Sequence, residues 1–411
     1  IRLSLVGSEM CIRDRYMAQN QNQASVKTLQ DSPLFQLSLT SKELFHSNFL
    51  YWLGVTYRDL FKETFSNLGC RTAAWPEDWT VEREYKAAKS ISLDLCVKGP
   101  GKNGKIYLIL ENKVKSIPNQ QQLNRYTSYW ERDNEKPCFV LLSLMTNFPN
   151  KDQIDANSDG KWIVWNYGDL AAALDKALTS YVSSVSRVST YHEEIIKDYI
   201  QLAKGLHGLF GNLTVNDNDR YCDNVSQVYA NLRMDDVYEK IRVSLIAEKL
   251  RNRLKKEFPN QTIDIKSELK IEEIGESNEK PLTKVYVDSG YTNKQGVVDA
   301  KVKIDNRYVL TVQIQGEQYR HAIEWLQSQG NASKNWTATQ KEYFVCQKLN
   351  FFDVTKFPYP QKSTRSNGLY GKFKDDFLYR YRKIKDNETV DNVLNEVVND
   401  VCHIFETYGQ H

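Results

Sequence analysis

Apolar residues recur at helical spacing over residues 40–67. Leu44, Phe45, Phe49, Leu50, Trp52 and Leu53 follow Thr40 and Glu43, a T-x-x-E capping box that starts a helix, and Gly69 stops it. Three extended runs come next, at 79–85, 91–98 and 105–113, and the GPGKNG string between the last two reads as a hairpin turn. After Pro118 a second amphipathic helix carries Gln122, Leu123, Tyr126 and Trp130. The run 138–145 is apolar without alternation, as expected of a strand covered on both faces. The order to this point is α-β-β-β-α-β, and a further strand at 162–165 and helices over 169–178 and 191–209 close this half.

A polar segment at 211–219 marks a domain edge. Beyond it the pattern predicts a helix over 237–258, strands at 262–271, 284–288, 297–304 and 308–315, a helix over 317–327, a strand at 343–349 and a helix over 390–408. Helix, a run of strands, helix and strand thus recur. Val297-Val-Asp299-Ala-Lys-Val resembles Ser92-Leu-Asp94-Leu-Cys-Val, and Gln313 and Gln315 stand where Glu111 and Lys113 stand in the first half, with Gln318 opening the next helix. One reading is a degenerate copy of the first half, unable to hold a hard cation because a neutral amide is a weaker ligand than a carboxylate. The other is an unrelated α+β domain with a generic element order.

Length makes room for two or three domains in 411 residues. The hydrophobic fraction of 41% and charged fraction of 26% belong to an ordered globular chain. With 55 Lys and Arg against 52 Asp and Glu, the net charge of +3 requires any anionic partner to be met by a local patch. One such patch is Lys362, Arg365, Lys372, Lys374, Arg380, Arg382, Lys383 and Lys385, interleaved with Tyr370, Phe373, Phe377, Tyr379 and Tyr381. It would suit a nucleic-acid backbone, or equally a basic element with a buried aromatic face. No apolar run reaches the roughly 18 residues a membrane-spanning helix needs, so no membrane partner is expected. Residues 1–16 resemble translated sequencing-adapter read-through and make a poor signal peptide, which puts the expected native start at Met17 and a polar lead at 17–39. Setting Cys11 aside, Cys70, Cys96, Cys138, Cys222, Cys346 and Cys402 are far apart and form no CxxC or Cys/His motif. Reduced thiols in a cytoplasmic protein are expected, without structural zinc.

The candidate chemistry lies in the extended runs. In Ile106-Tyr-Leu-Ile-Leu-Glu111-Asn-Lys113 the period of two puts Glu111 and Lys113 on one face and Asn112 on the other. Asp94 interrupts an apolar strand, and a hairpin brings it toward Glu111. Two partly buried carboxylates repel, so one is driven to bind a proton unless a cation lies between them. Mg²⁺ suits one or two carboxylates plus waters and a substrate phosphate. A dication so held polarises a phosphoryl oxygen and acidifies a water, and a neighbouring lysine helps stabilise developing charge. Glu84-Tyr-Lys86, Asp159-Gly-Lys161, Asp264-Ile-Lys266 and Glu268-Leu-Lys270 repeat the acid-x-Lys spacing, so the apolar strand and its neighbours supply the discrimination. Glu82 and Glu84 read most simply as solvated strand residues, or as lining for the cleft, and His46 as a packed histidine.

Asp94, Glu111-Asn112-Lys113 and then Gln122 and Tyr126 in a Q-x-x-x-Y arrangement, set in this element order, resemble the PD-(D/E)XK nuclease superfamily. Leu93 stands where many members have proline. The resemblance implies a restriction-endonuclease-like αβββαβ core with a mixed sheet over residues 40–210, followed by a second α+β domain over 211–411 for substrate or partner recognition. It implies a Mg²⁺- or Mn²⁺-dependent endonuclease, acting on DNA, with a place in bacterial or phage systems that cut foreign or host DNA. Asp94 and Glu111 would hold the metal with the main-chain carbonyl of Asn112. Lys113, Gln122 and Glu43 would complete the catalytic set, Glu43 matching an acid that some members carry on the preceding helix. Double-strand cutting from one competent half would need a homodimer or a partner protein held by the C-terminal domain. The rival expectation is a nucleic-acid-binding or complex-forming protein that keeps the fold without the activity.

Overall fold

Residues 23–39, 42–89, 91–101, 104–114, 118, 120–130, 136–148, 151–156, 160–183, 188–222, 226–259, 263–264, 284–303, 308–325, 355–359, 371–373 and 377–408 are described by the structure, a computed structural model. The chain divides into two units, one running to Leu213 and including Gln227–Tyr238, the other made of Thr214–Ser226 and Glu239–His411. Among the described residues no helix is long and apolar enough to cross a membrane.

In the first unit the single helix expected over 40–67 is two, α1 (Lys42–Thr56) and α2 (Arg58–Asn67). Tyr57 breaks it, with φ of −129° and ψ of 67°. It follows the β-branched Val55 and Thr56, whose side chains crowd a preceding helical turn. Thr40 lies outside the described residues. Beyond α2, Gly69 takes a φ of +87°, the left-handed conformation that glycine adopts without steric cost. The chain then forms β1 (Thr80–Ala88), β2 (Ile91–Lys98) and β3 (Ile106–Lys113) as an antiparallel meander.

Helix α3 (Gln120–Trp130) carries the chain back, so β4 (Cys138–Ser143) lies parallel to β3 and β5 (Ile163–Asn166) parallel to β4. The result is the mixed five-stranded sheet β1-β2-β3-β4-β5. Val140, Leu141 and Leu142 on β4 are all fully buried, which is why this strand shows no alternation in the sequence. Helices α4 (Tyr167–Ser183) and α5 (Thr190–Phe210) complete the unit.

The second unit contains most of α6 (Asp235–Glu257) and all of α7 (Val390–Tyr408). Its sheet has the order β11-β12-β10-β9-β8-β7-β6. The strands are β6 (Ile263–Asp264), β7 (Lys284–Thr292), β8 (Gln295–Lys303), β9 (Tyr308–Gln315), β10 (Gln318–Trp325), β11 (Gly371–Phe373) and β12 (Phe377–Lys383). All neighbours pair antiparallel except β6 with β7. Leu310 and Tyr319 from the sheet, Leu250 from α6 and Leu394 and Val401 from α7 share one apolar core.

The helix expected over 317–327 is instead β10. Gly316, at φ of +54°, opens a two-residue turn that pairs Gln315 with Gln318 and sends the chain straight back. Tyr319 and Ile323 then enter the core at period two, as a strand requires. Gln318 begins a strand, not a helix, and no crossover helix precedes the strand after β9. Among the described residues the likeness between the halves extends through the three-stranded meander, in which Asp299 pairs with Gln313. The expected strand at 343–349 and most of 262–271 lie outside the described residues.

Half of the basic stretch, residues 362–370 and 374–376, also lies outside them. Of the remainder, buried Arg380 donates from Nε to the Phe357 carbonyl at 2.7 Å. Arg382 forks onto Glu388, at 2.9 Å from Nη2, and onto Glu396. These two arginines are committed to their own unit, while Lys383 and Lys385 remain exposed.

Candidate active site

The β2–β3 ladder ends at Leu95 with Leu110, one step before Asp94 and Glu111. Past that point the Asp94 side chain replaces a strand carbonyl: its Oδ2 accepts from the Asn112 main-chain N–H at 2.7 Å. Asp94 is thereby oriented by the backbone of the strand that carries Glu111.

Period two then separates the three residues of Glu111-Asn112-Lys113. On one face, Lys113 Nζ donates to Glu111 Oε1 at 2.7 Å, and Gln122 Nε2 on α3 donates to the same oxygen at 2.8 Å. Gln122 Nε2 also lies 3.0 Å from the Tyr126 hydroxyl, which donates to the Ser92 carbonyl at 2.7 Å. Gln122 and Tyr126, one helical turn apart, thus tie α3 to both β2 and Glu111. On the other face the buried Asn112 side chain accepts from the Tyr167 hydroxyl at 2.7 Å and donates to the Glu43 carbonyl at 3.0 Å. Glu43 returns the contact, its Oε1 accepting from the Val114 N–H at 3.2 Å.

All six sequence-predicted residues are therefore gathered along β3 in two hydrogen-bonded clusters, one of Glu111, Lys113 and Gln122, the other of Asp94, Asn112 and Glu43. No pattern in the sequence marked Tyr167, which holds Asn112 from 55 residues away. Glu84 is exposed, as expected of a solvated strand residue. It sits between the pairs Arg83 with Leu95 and Tyr85 with Leu93, across from Asp94, at a φ of +50°. Glu82 instead pairs with Lys98 at 3.3 Å.

Burial raises the Asp94 carboxyl above its ordinary range; the Asn112 amide and Lys113 oppose the shift, and Glu43 and Glu84 add to it. Glu111 is pushed up to about 7, first by burial and then by the negative charge of Asp94, against the pull of Lys113 and Gln122. Burial acts to lower Lys113, but Glu111, Asp94 and Glu43 outweigh it and leave the ammonium raised. The pocket is short of positive charge.

A dication fits that shortage. Among the described residues nothing bonds the buried Glu111 Oε2, although Oε1 accepts two hydrogen bonds. A buried oxygen left with both lone pairs free is costly unless something else binds it. Among the described residues no three His, Cys, Asp or Glu side chains close on one point. The protein's share would thus be Asp94 and Glu111, leaving room for water and a phosphate, as Mg²⁺ prefers.

His46 takes no part in this chemistry, in keeping with its reading as a packed histidine. It is buried, 3.1 Å from the Tyr199 hydroxyl, and burial lowers its imidazole to about 3. An unfolded chain protonates this ring near pH 6.5 while the fold does not, so stability is complete above that pH and drains away as pH falls toward 3. The loss runs at up to about 1.4 kcal/mol per pH unit. Urea midpoints of wild type and His46→Gln, compared at pH 7 and pH 4.5, should show the steeper acid loss in wild type; equal losses would mean that another group controls it.

Compared with family models, residues 56–201 match the PD-(D/E)XK nuclease superfamily, a span that includes Asp94, Glu111, Lys113 and Gln122 but not Glu43. Curated proteins and solved structures return no match.

Proposed function

We propose that this chain, a member of the PD-(D/E)XK nuclease superfamily over residues 56–201, is a Mg²⁺- or Mn²⁺-dependent endonuclease that hydrolyses phosphodiester bonds in DNA. The observation that carries the reading is the unbonded, buried Glu111 Oε2 beside Asp94, with an ammonium held at the other Glu111 oxygen. Asp94 and Glu111 would hold the ion, with the Asn112 carbonyl as a further main-chain donor. When bound, the ion supplies Lewis-acid polarisation of the phosphate and an acidified water.

The chain's own groups do the rest. The Asn112 amide fixes the Asp94 carboxylate. Gln122, itself anchored through Tyr126, fixes Glu111 Oε1 so that Oε2 keeps its direction. Lys113 carries its charge into the site and is the group to orient the attacking water and stabilise charge on the phosphoryl oxygens. Glu43, bonded to Val114, sets where β3 leaves the sheet. One competent site cuts one strand, so double-strand scission would require two chains, paired with each other or through a partner of the second unit.

The test is to incubate chelated protein with supercoiled plasmid, linear DNA and RNA, then add back Mg²⁺ or Mn²⁺. Metal-dependent nicking or cutting of DNA is expected, and Lys113→Ala should slow it by about 10²–10³-fold. Cleavage unaffected by this substitution would move the active site elsewhere. No cleavage of any substrate with either metal would favour the rival role, a nuclease-like fold retained for binding alone.

A further inference from the structure

Outside the candidate site, two thiols that the sequence separates by 68 residues meet: Cys70 Sγ and Cys138 Sγ lie 3.2 Å apart. Both belong to the first unit and both are free. Their backbones are held by hydrogen bonds. Cys70 follows α2 and its N–H bonds the Phe65 carbonyl at 3.0 Å, while Cys138 opens β4 opposite Leu108 of β3. A disulfide needs the sulfurs at about 2.05 Å, roughly 1 Å closer than they stand. Cys70 is buried, whereas Cys138 is partly open to solvent.

We infer that Cys70 and Cys138 form an oxidisable dithiol, a modification site at which hydrogen peroxide closes a reversible disulfide. Cys138 is the entry point because it is the less buried partner. Its sulfur attacks one peroxide oxygen; an S–O bond forms, the O–O bond breaks, and the departing hydroxide leaves as water with the thiol proton. The Cys70 sulfur then attacks the resulting sulfenic acid. The S–S bond forms, the S–O bond breaks, and hydroxide again leaves as water with the Cys70 proton. Two thiols lose two electrons and two protons, and one peroxide becomes two waters.

The local electrostatics agree with that assignment of roles. The Cys70 thiol bonded to Cys138 lowers the Cys138 thiol and Arg71 adds to this, against burial. Cys70 moves the other way, raised by its bond to Cys138 and by burial. Such a pair gives one thiol that ionises and one that resolves.

The segment that the bond would enclose includes β1, β2, β3 and α3, and so Asp94, Glu111, Lys113 and Gln122. Cross-linking it restricts the unfolded chain over a long loop and stabilises the unit that carries the site. Nothing in this depends on the nuclease reading.

The full-length protein, fully reduced, is exposed to hydrogen peroxide, alkylated and digested without reductant. A peptide pair joined through Cys70 and Cys138, lighter by two hydrogens and released by dithiothreitol, is expected. The oxidised wild type should melt roughly 5–10 °C above the reduced form, a difference absent from Cys70→Ser and from Cys138→Ser. In Cys70→Ser, dimedone should trap Cys138 as the sulfenic acid. Separate alkylation of both cysteines, a sulfinic acid at Cys138 without cross-link in wild type, or a disulfide to another cysteine would each overturn the inference. If one variant fails to fold, the other and the wild-type peptide map still decide.

Discussion

Glu111→Gln is expected to melt later than wild type at pH 8 and to cut DNA on the order of 10³-fold more slowly. The two effects share one cause. Glu111 is 2% exposed, and its carboxyl is raised to about 7 by burial and by Asp94. A raised carboxyl favours the fold when protonated. Its cost is therefore absent at low pH, grows as pH climbs from about 4.5, the ordinary value, through about 7, and is constant above. Glutamine imitates the protonated form and keeps an oxygen for Lys113 and Gln122, so the variant should gain about 1–3 kcal/mol at pH 8 in chelator and nothing near pH 4. Adding Mg²⁺ should raise the wild-type melting temperature and leave the variant unmoved, since ligands that bind only the fold stabilise it. The measurement is thermal melting at both pH values with and without metal, beside cleavage rates. A variant that melts earlier at pH 8, or that responds to metal like wild type, would remove Glu111 from the metal site.

Asn112→Ala is expected to show the opposite profile: a loss of about 2–4 kcal/mol in stability, with cleavage largely retained at temperatures where the variant is folded. Although Asn112 stands between the two charged residues of the motif, its side chain turns away from them. It accepts from the Tyr167 hydroxyl and donates to the Glu43 carbonyl. Alanine deprives a fully buried hydroxyl of its acceptor and removes a donor from the backbone of α1. The Asn112 main-chain N–H remains, so Asp94 keeps its hydrogen bond. Tyr167→Phe removes the hydroxyl itself and should cost less, about 1 kcal/mol. A double-mutant cycle by urea unfolding should then return a coupling of about 1–2 kcal/mol. Independent, additive losses would break the proposed link between α4 and the middle of the motif.

The first unit was legible because its local signals agree with its fold. The apolar strand around Asp94 and the doubly covered run at β4 lie where their patterns place them. So does the break at Gly69. The second unit misled at one point, where residues 317–327 carry apolar positions that suit a helix as well as a strand. A glycine at positive φ settled that choice by turning the chain back along β9. The basic stretch left two readings open for a related reason. Arginine is equally suited to phosphate and to carboxylate, and only the position of Glu388 and Glu396 shows which partner Arg382 has taken.

By itself the sequence determined which residues could do chemistry, and on which face of each strand they lie, because a period of two follows from covalent geometry alone. Only the tertiary structure decided which residues meet. The Asn112 amide on Asp94, the unbonded Glu111 oxygen, Tyr167 beneath Asn112 and the contact of Cys70 with Cys138 all join residues distant along the chain. Sequence spacing carries no trace of such pairs, since their proximity is set by how the sheet and its helices pack.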